Sequence, residues 1–188
     1  EAMESVCAQT FTDWELIVVV DGSTDDTAER VAAVAKQNAR IRMISQPNRG
    51  ISEARNAGIR AARGALIAFL DDDDRWLPEK LARHIAHFHA VPGLGLSFSR
   101  YYDIDTASSQ RRIQPTALLR TFAQLYREGN ILPSAAVVDR RCFDAVGGFN
   151  PDAVDALAEE NKARTATRDE DSIRSVVWMP TVHAESHR

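Results

Sequence analysis

Ala65-Leu66-Ile67-Ala68-Phe69-Leu70-Asp71-Asp72-Asp73-Asp74 is the stretch that decides the fold. Six apolar residues in a row read as a buried strand, and four carboxylates follow without a break. A buried strand that ends in acids puts negative charge at the carboxyl edge of a sheet, where open α/β folds bind their ligands. Carboxylates this crowded repel one another, raising their pKa values or costing stability unless a cation neutralises them. Hard oxygen ligands of this kind suit Mg2+ or Mn2+ carrying phosphates. The plainer reading is a solvated acidic loop capping the helix that starts near Pro78. The strand before the acids and Trp76-Leu77-Pro78 after them favour a ligand site.

Outward from this stretch, strand and helix signals alternate. Residues 1 to 9 read as the tail of a helix, and Glu15-Leu16-Ile17-Val18-Val19-Val20 is a strand ending in the turn Asp21-Gly22. Ser23, Thr24 and Asp25 are N-cap candidates for a helix to about Gln37, with Ala28, Val31, Ala32 and Ala35 inward. A short strand at 41–44 runs into Gln46-Pro47-Asn48-Arg49-Gly50, and a helix covers about 52–62. After the strand 65–70, Pro78 opens a helix in which Leu81, Ile85 and Phe88 recur at helical spacing. This order predicts right-handed βαβ units in a mostly parallel sheet flanked by helices. Past Pro92-Gly93 the pattern turns mixed: a strand at 94–102, a polar loop to about Pro115, a helix near 118–127 and a strand at 134–138. Residues 1–154 are expected to form one α/β domain. The charged stretch from Asp155 to Arg174 holds almost no large apolar residue, which predicts an exposed or disordered tail over 155–188, with Val176-Val177-Trp178-Met179 as an apolar patch able to dock.

Composition narrows the function classes. With 188 residues and a net charge of −4 spread along the chain, there is no electrostatic case for a nucleic-acid partner. The two cysteines, Cys7 and Cys142, describe neither a zinc site nor a disulfide framework, which points to a reducing compartment. No apolar run approaches the roughly 20 residues of a membrane span. His84, His87 and His89 share one short helix but read as surface residues, since only the 84/87 spacing puts two on one face. Trp14 and Cys142 read as core, and Trp76 as either core or a stacking platform.

Five motifs in order carry a family resemblance: Ala8-Gln9-Thr10-Phe11; Trp14 through Asp25; Asn48-Arg49-Gly50-Ile51-Ser52-Glu53-Ala54-Arg55-Asn56-Ala57-Gly58; Phe69 through Asp74; and Gly147-Gly148-Phe149. Over about residues 1 to 150 the chain resembles glycosyltransferase family 2, with its GT-A nucleotide-sugar fold. The resemblance implies an inverting transferase that moves a sugar from a nucleoside diphosphate donor, UDP-linked, to a glycan, polysaccharide or lipid-linked acceptor. It implies Asp21 as the reader of the base, with Ser23 beside it, and Arg55 near base or phosphate. Asp71 falls to the ribose or a metal-bound water, Asp73 to the cation, and Asp72 with Asp74 to support. The setting implied is cytoplasmic, with peripheral association at the inner face of the membrane for a lipid-linked acceptor.

Two departures from the family pattern bear on turnover. The general base of the family follows the Gly-Gly-Phe turn by about ten residues and starts an apolar helix, whereas Glu159-Glu160-Asn161 here leads into charged sequence. Glu160 or Glu159 is the candidate base. The family also opens on an apolar strand and a Pro-x-Tyr-Asn-like turn, but this sequence enters inside the helix that should follow. The sheet would then lack a central member, unless further residues precede, the architecture is altered, or another chain lends an edge through self-association. The alternative function is therefore a non-catalytic relative that binds nucleotide or a protein partner. A nucleotidyltransferase is a weaker third reading, because the Gly-rich amino-terminal loop of that class is missing.

Overall fold

Apolar side chains on both faces of Leu16-Ile17-Val18-Val19-Val20 require cover from both sides, and the segment becomes the inner strand β1 (Trp14–Asp21), buried at every position. The computed structural model describes residues 1–104, 111–113, 131–152 and 176–182. Around β1 it places α1 (Ala2–Cys7), α2 (Thr27–Ala35), β2 (Ile41–Gln46), α3 (Ile51–Ala61), β3 (Leu66–Ala68), β4 (Leu70–Asp71), α4 (Lys80–Ala90) and β5 (Leu96–Phe98). There follow β6 (Tyr102–Ile104), β7 (Arg111–Ile113), a 3-10 turn at Pro133–Ala135, β8 (Ala136–Asp139), α5 (Arg140–Val146) and β9 (Val176–Val182).

The main sheet has the order β2-β1-β9-β3-β8-β5, with β4 also paired to β9. β1 and β2 are parallel, Leu16 opposite Ile41 through Asp21 opposite Gln46. β9 is antiparallel to β1, β3 and β4, and β8 is antiparallel to β3 and β5. Strands β1 to β5 therefore share one direction, as the repeated strand-helix pattern predicts, and the interposed β8 and β9 run against them. Alternation along β1 splits the core between two faces. Leu16, Val18 and Val20 pack with Val6 of α1, Val31 of α2, and Leu81 and Ile85 of α4. Ile17 and Val19 pack with Ala54 and Ile59 of α3 and with Ile67 and Phe69. Each fully buried aliphatic chain contributes about 1.5–3 kcal/mol.

Several expectations change in detail. The strand 65–70 breaks at Phe69, whose ring meets Phe143 and Phe149 edge-on at 5.8 and 5.3 Å. The strand expected at 134–138 starts only at Ala136, because Pro133 opens a 3-10 turn. The polar loop after Tyr102 includes β6 and β7, an antiparallel pair separate from the main sheet. The cap of α2 is Asp26, and Asp25 instead accepts from the Thr27 amide at 3.1 Å. His84 is not a surface residue. It is 3% exposed, with Nδ1 at 2.8 Å from Ser97 Oγ and Nε2 at 3.0 Å from Lys80 Nζ. Burial explains both the displaced histidine pKa, about 3, and that of Lys80, about 7. Trp14 is core, as expected, and Cys142 packs half-buried against the second cluster. The helix near 118–127 and the stretch Asp155 to Arg174 lie outside the described residues.

The apolar patch at 176–179 docks as part of β9, which fills the place between β1 and β3. It pairs with seven consecutive residues of β1, from Val182 opposite Trp14 to Val176 opposite Val20. Removing it would bare the inner edges of β1 and β3 and leave a row of buried backbone groups without partners. A chain truncated after residue 175 is expected to lose cooperative unfolding or to aggregate. A thermal melt of the truncated protein matching that of the full chain would show that β9 contributes little.

Candidate active site

Because β1 and β4 run the same way, their carboxyl ends bring Asp21 and Asp71 to one edge of the sheet, with the first residues of β9 between them: Val176 is opposite Val20, and Val177 opposite Asp71. Asp21 is 4% exposed. Its Oδ1 accepts from Gln46 Nε2 at 2.8 Å and from the Arg49 amide at 3.0 Å, and among the described residues Oδ2 accepts no bond. Gln46 stands directly opposite Asp21 in the parallel register, so the end of β2 presents the donor. The loop after β2 lies tight on Gly22, where φ is +78° and a Cβ would come within 2.7 Å of Asn48. Ser23 follows, half-buried.

The acidic turn begins at the last residue of β4. The Asp74 amide donates to the Asp71 carbonyl at 3.1 Å, closing the turn, and the Asp71 amide donates to Ser134 Oγ at 2.9 Å. Arg55 of α3 reaches Asp71 Oδ1 with Nη2 at 3.0 Å, and its guanidinium lies 5.4 Å from the Phe149 ring centroid. Arg55 is buried, not on the surface, and its Nε has no partner among the described residues. Asp72 and Asp73 are exposed, and Asp74 is half-buried. Desolvation, followed by repulsion from Asp73 and Asp71, raises the carboxyls of both Asp72 and Asp74. The Asp72 and Asp73 amides oppose the shift at Asp72, and a hydrogen bond from Ser134 opposes it at Asp74.

These acids fit a divalent cation of the kind that travels with a diphosphate. Among the described residues no three His, Cys, Asp or Glu side chains converge into a closed metal cage. A Mg2+-like ion typically takes only one or two carboxylates and completes its shell with phosphate and water oxygens. Asp71 and Asp73 belong to the same turn as Asp72 and Asp74, whose raised carboxyls would gain from added positive charge.

The structure thus brings Asp21, Arg55 and Asp71 to Asp74 to one edge, while Glu159 and Glu160 lie outside the described residues. Three supporting residues were not read from sequence. Gln46 could have been found from parallel strand register. Ser134 stands at the head of an apolar run with nothing local to single it out. Asn56 follows Arg55, and its amide holds the Phe149 backbone both ways: Nδ2 donates to the carbonyl and Oδ1 accepts from the amide, each at 2.8 Å. The expected turn at Gly147-Gly148 is present, with φ of +86° and +98°.

The family model described as glycosyl transferase family 2 matches residues 1–147. The chain belongs to glycosyl transferase family 2. It is 50% identical over 74 residues to the uncharacterized glycosyltransferase EpsJ of Bacillus subtilis (strain 168), a match covering 39% of this chain and 22% of that protein. It is 36% identical over 100 residues to the UDP-Glc:alpha-D-GlcNAc-diphosphoundecaprenol beta-1,3-glucosyltransferase WfaP of Escherichia coli, covering 53% of this chain and 39% of that one. Among solved structures, it resembles the mannosyltransferase PcManGT from Pyrobaculum calidifontis in complex with GDP-Man and Mn2+, with a TM-score of 0.59 and 19% identity over 80% of this chain and 43% of that one. The fold of this family 2 member is accordingly the GT-A fold. The chain spans less than half the length of each of these relatives.

Two outcomes follow from the site. Raised carboxyl pKa values mean that the folded state binds these protons more tightly than the unfolded chain, so the charged forms oppose folding at neutral pH and cease to do so as pH falls through the folded pKa. Asp72→Asn is therefore expected to raise the melting temperature of the metal-free protein at pH 7 by about 1–3 °C, with the gain shrinking toward pH 4. A lower melting temperature at pH 7 would mean that the Asp72 carboxylate stabilises the turn. At Gly148 an added Cβ would run into Asn56 Oδ1 in a left-handed backbone, so Gly148→Ala should cost about 2–4 kcal/mol in denaturant melts. Asn56→Ala in the same background should cost less than in the wild type, and strict additivity would count against the clash.

Proposed function

We propose that this chain carries the donor site of an inverting, metal-dependent glycosyltransferase. The donor is a nucleoside diphosphate sugar, UDP-linked, and the acceptor a glycan, polysaccharide or lipid-linked sugar. The observation that carries the reading is the meeting of Asp21 with the Asp71–Asp74 turn at one sheet edge, Asp71 being braced by the buried Arg55. WfaP, whose name specifies a UDP-sugar and a diphosphoundecaprenol acceptor, and the Mn2+ and GDP-Man of PcManGT support the same class.

Each residue has a role on this reading. Asp21 uses the oxygen not taken by Gln46 and Arg49 to accept an N–H of the base. Asp73 and Asp71 hold Mn2+ or Mg2+, which when bound neutralises charge on the departing diphosphate. Arg55 holds Asp71 oriented through their 3.0 Å ion pair. Glu160 or Glu159 takes the acceptor hydroxyl's proton, and attack opposite the leaving diphosphate inverts the anomeric centre. No helix among the described residues is long and apolar enough to cross a membrane.

A second reading, nucleotide binding without turnover, draws on β9. A central strand opposed in direction to β1 and β4 enters the sheet between the two acid-bearing ends. Calorimetric titration with UDP, with and without Mn2+, tests both readings. Binding that requires Mn2+, weakened at least about tenfold by Asp73→Ala with no loss of melting temperature, is the expected result. Unchanged UDP affinity in Asp73→Ala would remove the metal assignment, and Mn2+-dependent binding with no release of UDP from UDP-sugars would move the second reading to the front.

A further inference from the structure

Ser134 lies outside every motif that marks the site, yet its side chain binds the backbone of the acidic turn. It is 4% exposed and stands in the 3-10 turn before β8. Its Oγ accepts from the Asp71 amide at 2.9 Å, so a side chain from a distant turn holds the backbone where the four acids begin. Its carbonyl accepts from Trp76 Nε1 at 2.9 Å, tying down the residue two beyond the turn. The platform itself is anchored: the Ser99 amide donates to the Ala135 carbonyl at 3.0 Å, and the Ala135 amide to the Leu132 carbonyl at 2.9 Å.

We infer that Ser134 is the positioning residue of the acidic turn, holding the Asp71 backbone in an arrangement that accepts a divalent cation. The inference rests on the proposed metal role of Asp73 and Asp71. A turn with four like charges tends to spread, and a restraint can be positive or neutral. A lysine or arginine at position 134 would compete with the cation for the carboxylates. A hydroxyl restrains the turn without adding charge, because it accepts from the Asp71 amide as a neutral group. Alanine cannot accept and would leave the Asp71 amide without its partner. Threonine retains the bond.

The test is the Mn2+ affinity of the full chain, read from the electron paramagnetic resonance signal of free Mn2+ with the metal alone as probe, and repeated by calorimetry with UDP. Ser134→Ala is expected to weaken Mn2+ binding at least about tenfold and Ser134→Thr to stay within about threefold of wild type, with melting temperatures recorded for each. Ser134→Ala that folds and binds Mn2+ within threefold of wild type overturns the role. If Ser134→Ala does not fold, Ser134→Cys replaces it: a thiol of similar size but weak hydrogen bonding should bind Mn2+ several-fold less tightly, and wild-type affinity there overturns the role equally. A folded wild-type chain that takes no Mn2+ overturns the proposed metal site and the positioning role with it, whereas loss of the Ser134 effect alone leaves the proposed function standing.

Discussion

Four carboxylates on one turn repel one another, and the surrounding structure is arranged to contain that repulsion. Two unit charges about 6 Å apart in a partly solvated setting oppose each other by on the order of 1 kcal/mol, and Asp71 to Asp74 contain several such pairs. Arg55 supplies one buried positive partner, at Asp71. The remaining restraints are neutral: the amides of Asp72 and Asp73, the turn bond from Asp74 to Asp71, and the Ser134 hydroxyl. Asp72 and Asp74 still sit above the ordinary carboxylate range. The turn is therefore left with surplus negative charge after these internal partners are counted.

The direction of the strands decides where that charge lies. β1 and β4 point the same way, so Asp21 and Asp71 end at the same edge, although the two strands are not neighbours. β9 separates them and completes the ladders on both sides. An antiparallel strand in this position satisfies the backbone of β1 and β3 as well as a parallel one would, since both ladder types pair every inner group. What changes is which end of the inserted strand borders the acids: for β9 it is the entering end, at Val176 and Val177.

The parts of the fold written in local pattern were legible, and those written in long-range pairing were not. The apolar runs at 15–20 and 65–70 marked β1, β3 and β4, and the helical spacing of Leu81 and Ile85 marked α4. Asp21 and Asp71 to Asp74 were visible because they end such runs. β9 was legible only as an apolar patch, since nothing within Val176–Val182 says which strands it will pair. Ser134 and Asn56 act through partners 63 and 93 residues away, and neither has a local signature. His84 was misread from its polarity, although its spacing from Leu81 and Ile85 puts it on the buried face of α4, where Ser97 meets its ring.

The helix α3 ties the separate parts of the site into one unit. The Arg49 amide, just ahead of its first turn, donates to Asp21. Arg55 pairs with Asp71, and Asn56 clamps the backbone of Phe149. Adjacent residues on a helix diverge by about 100°, so Arg55 and Asn56 address two different neighbours from one rigid rod. Asp71 and the Gly-Gly-Phe turn are thus each one hydrogen bond from α3, and Asp21 is one hydrogen bond from the residue just ahead of it. A shift of α3 would move all three together, so the spacing between the Asp21 and Asp71 edge and the Gly147-Gly148-Phe149 turn is set by a helix.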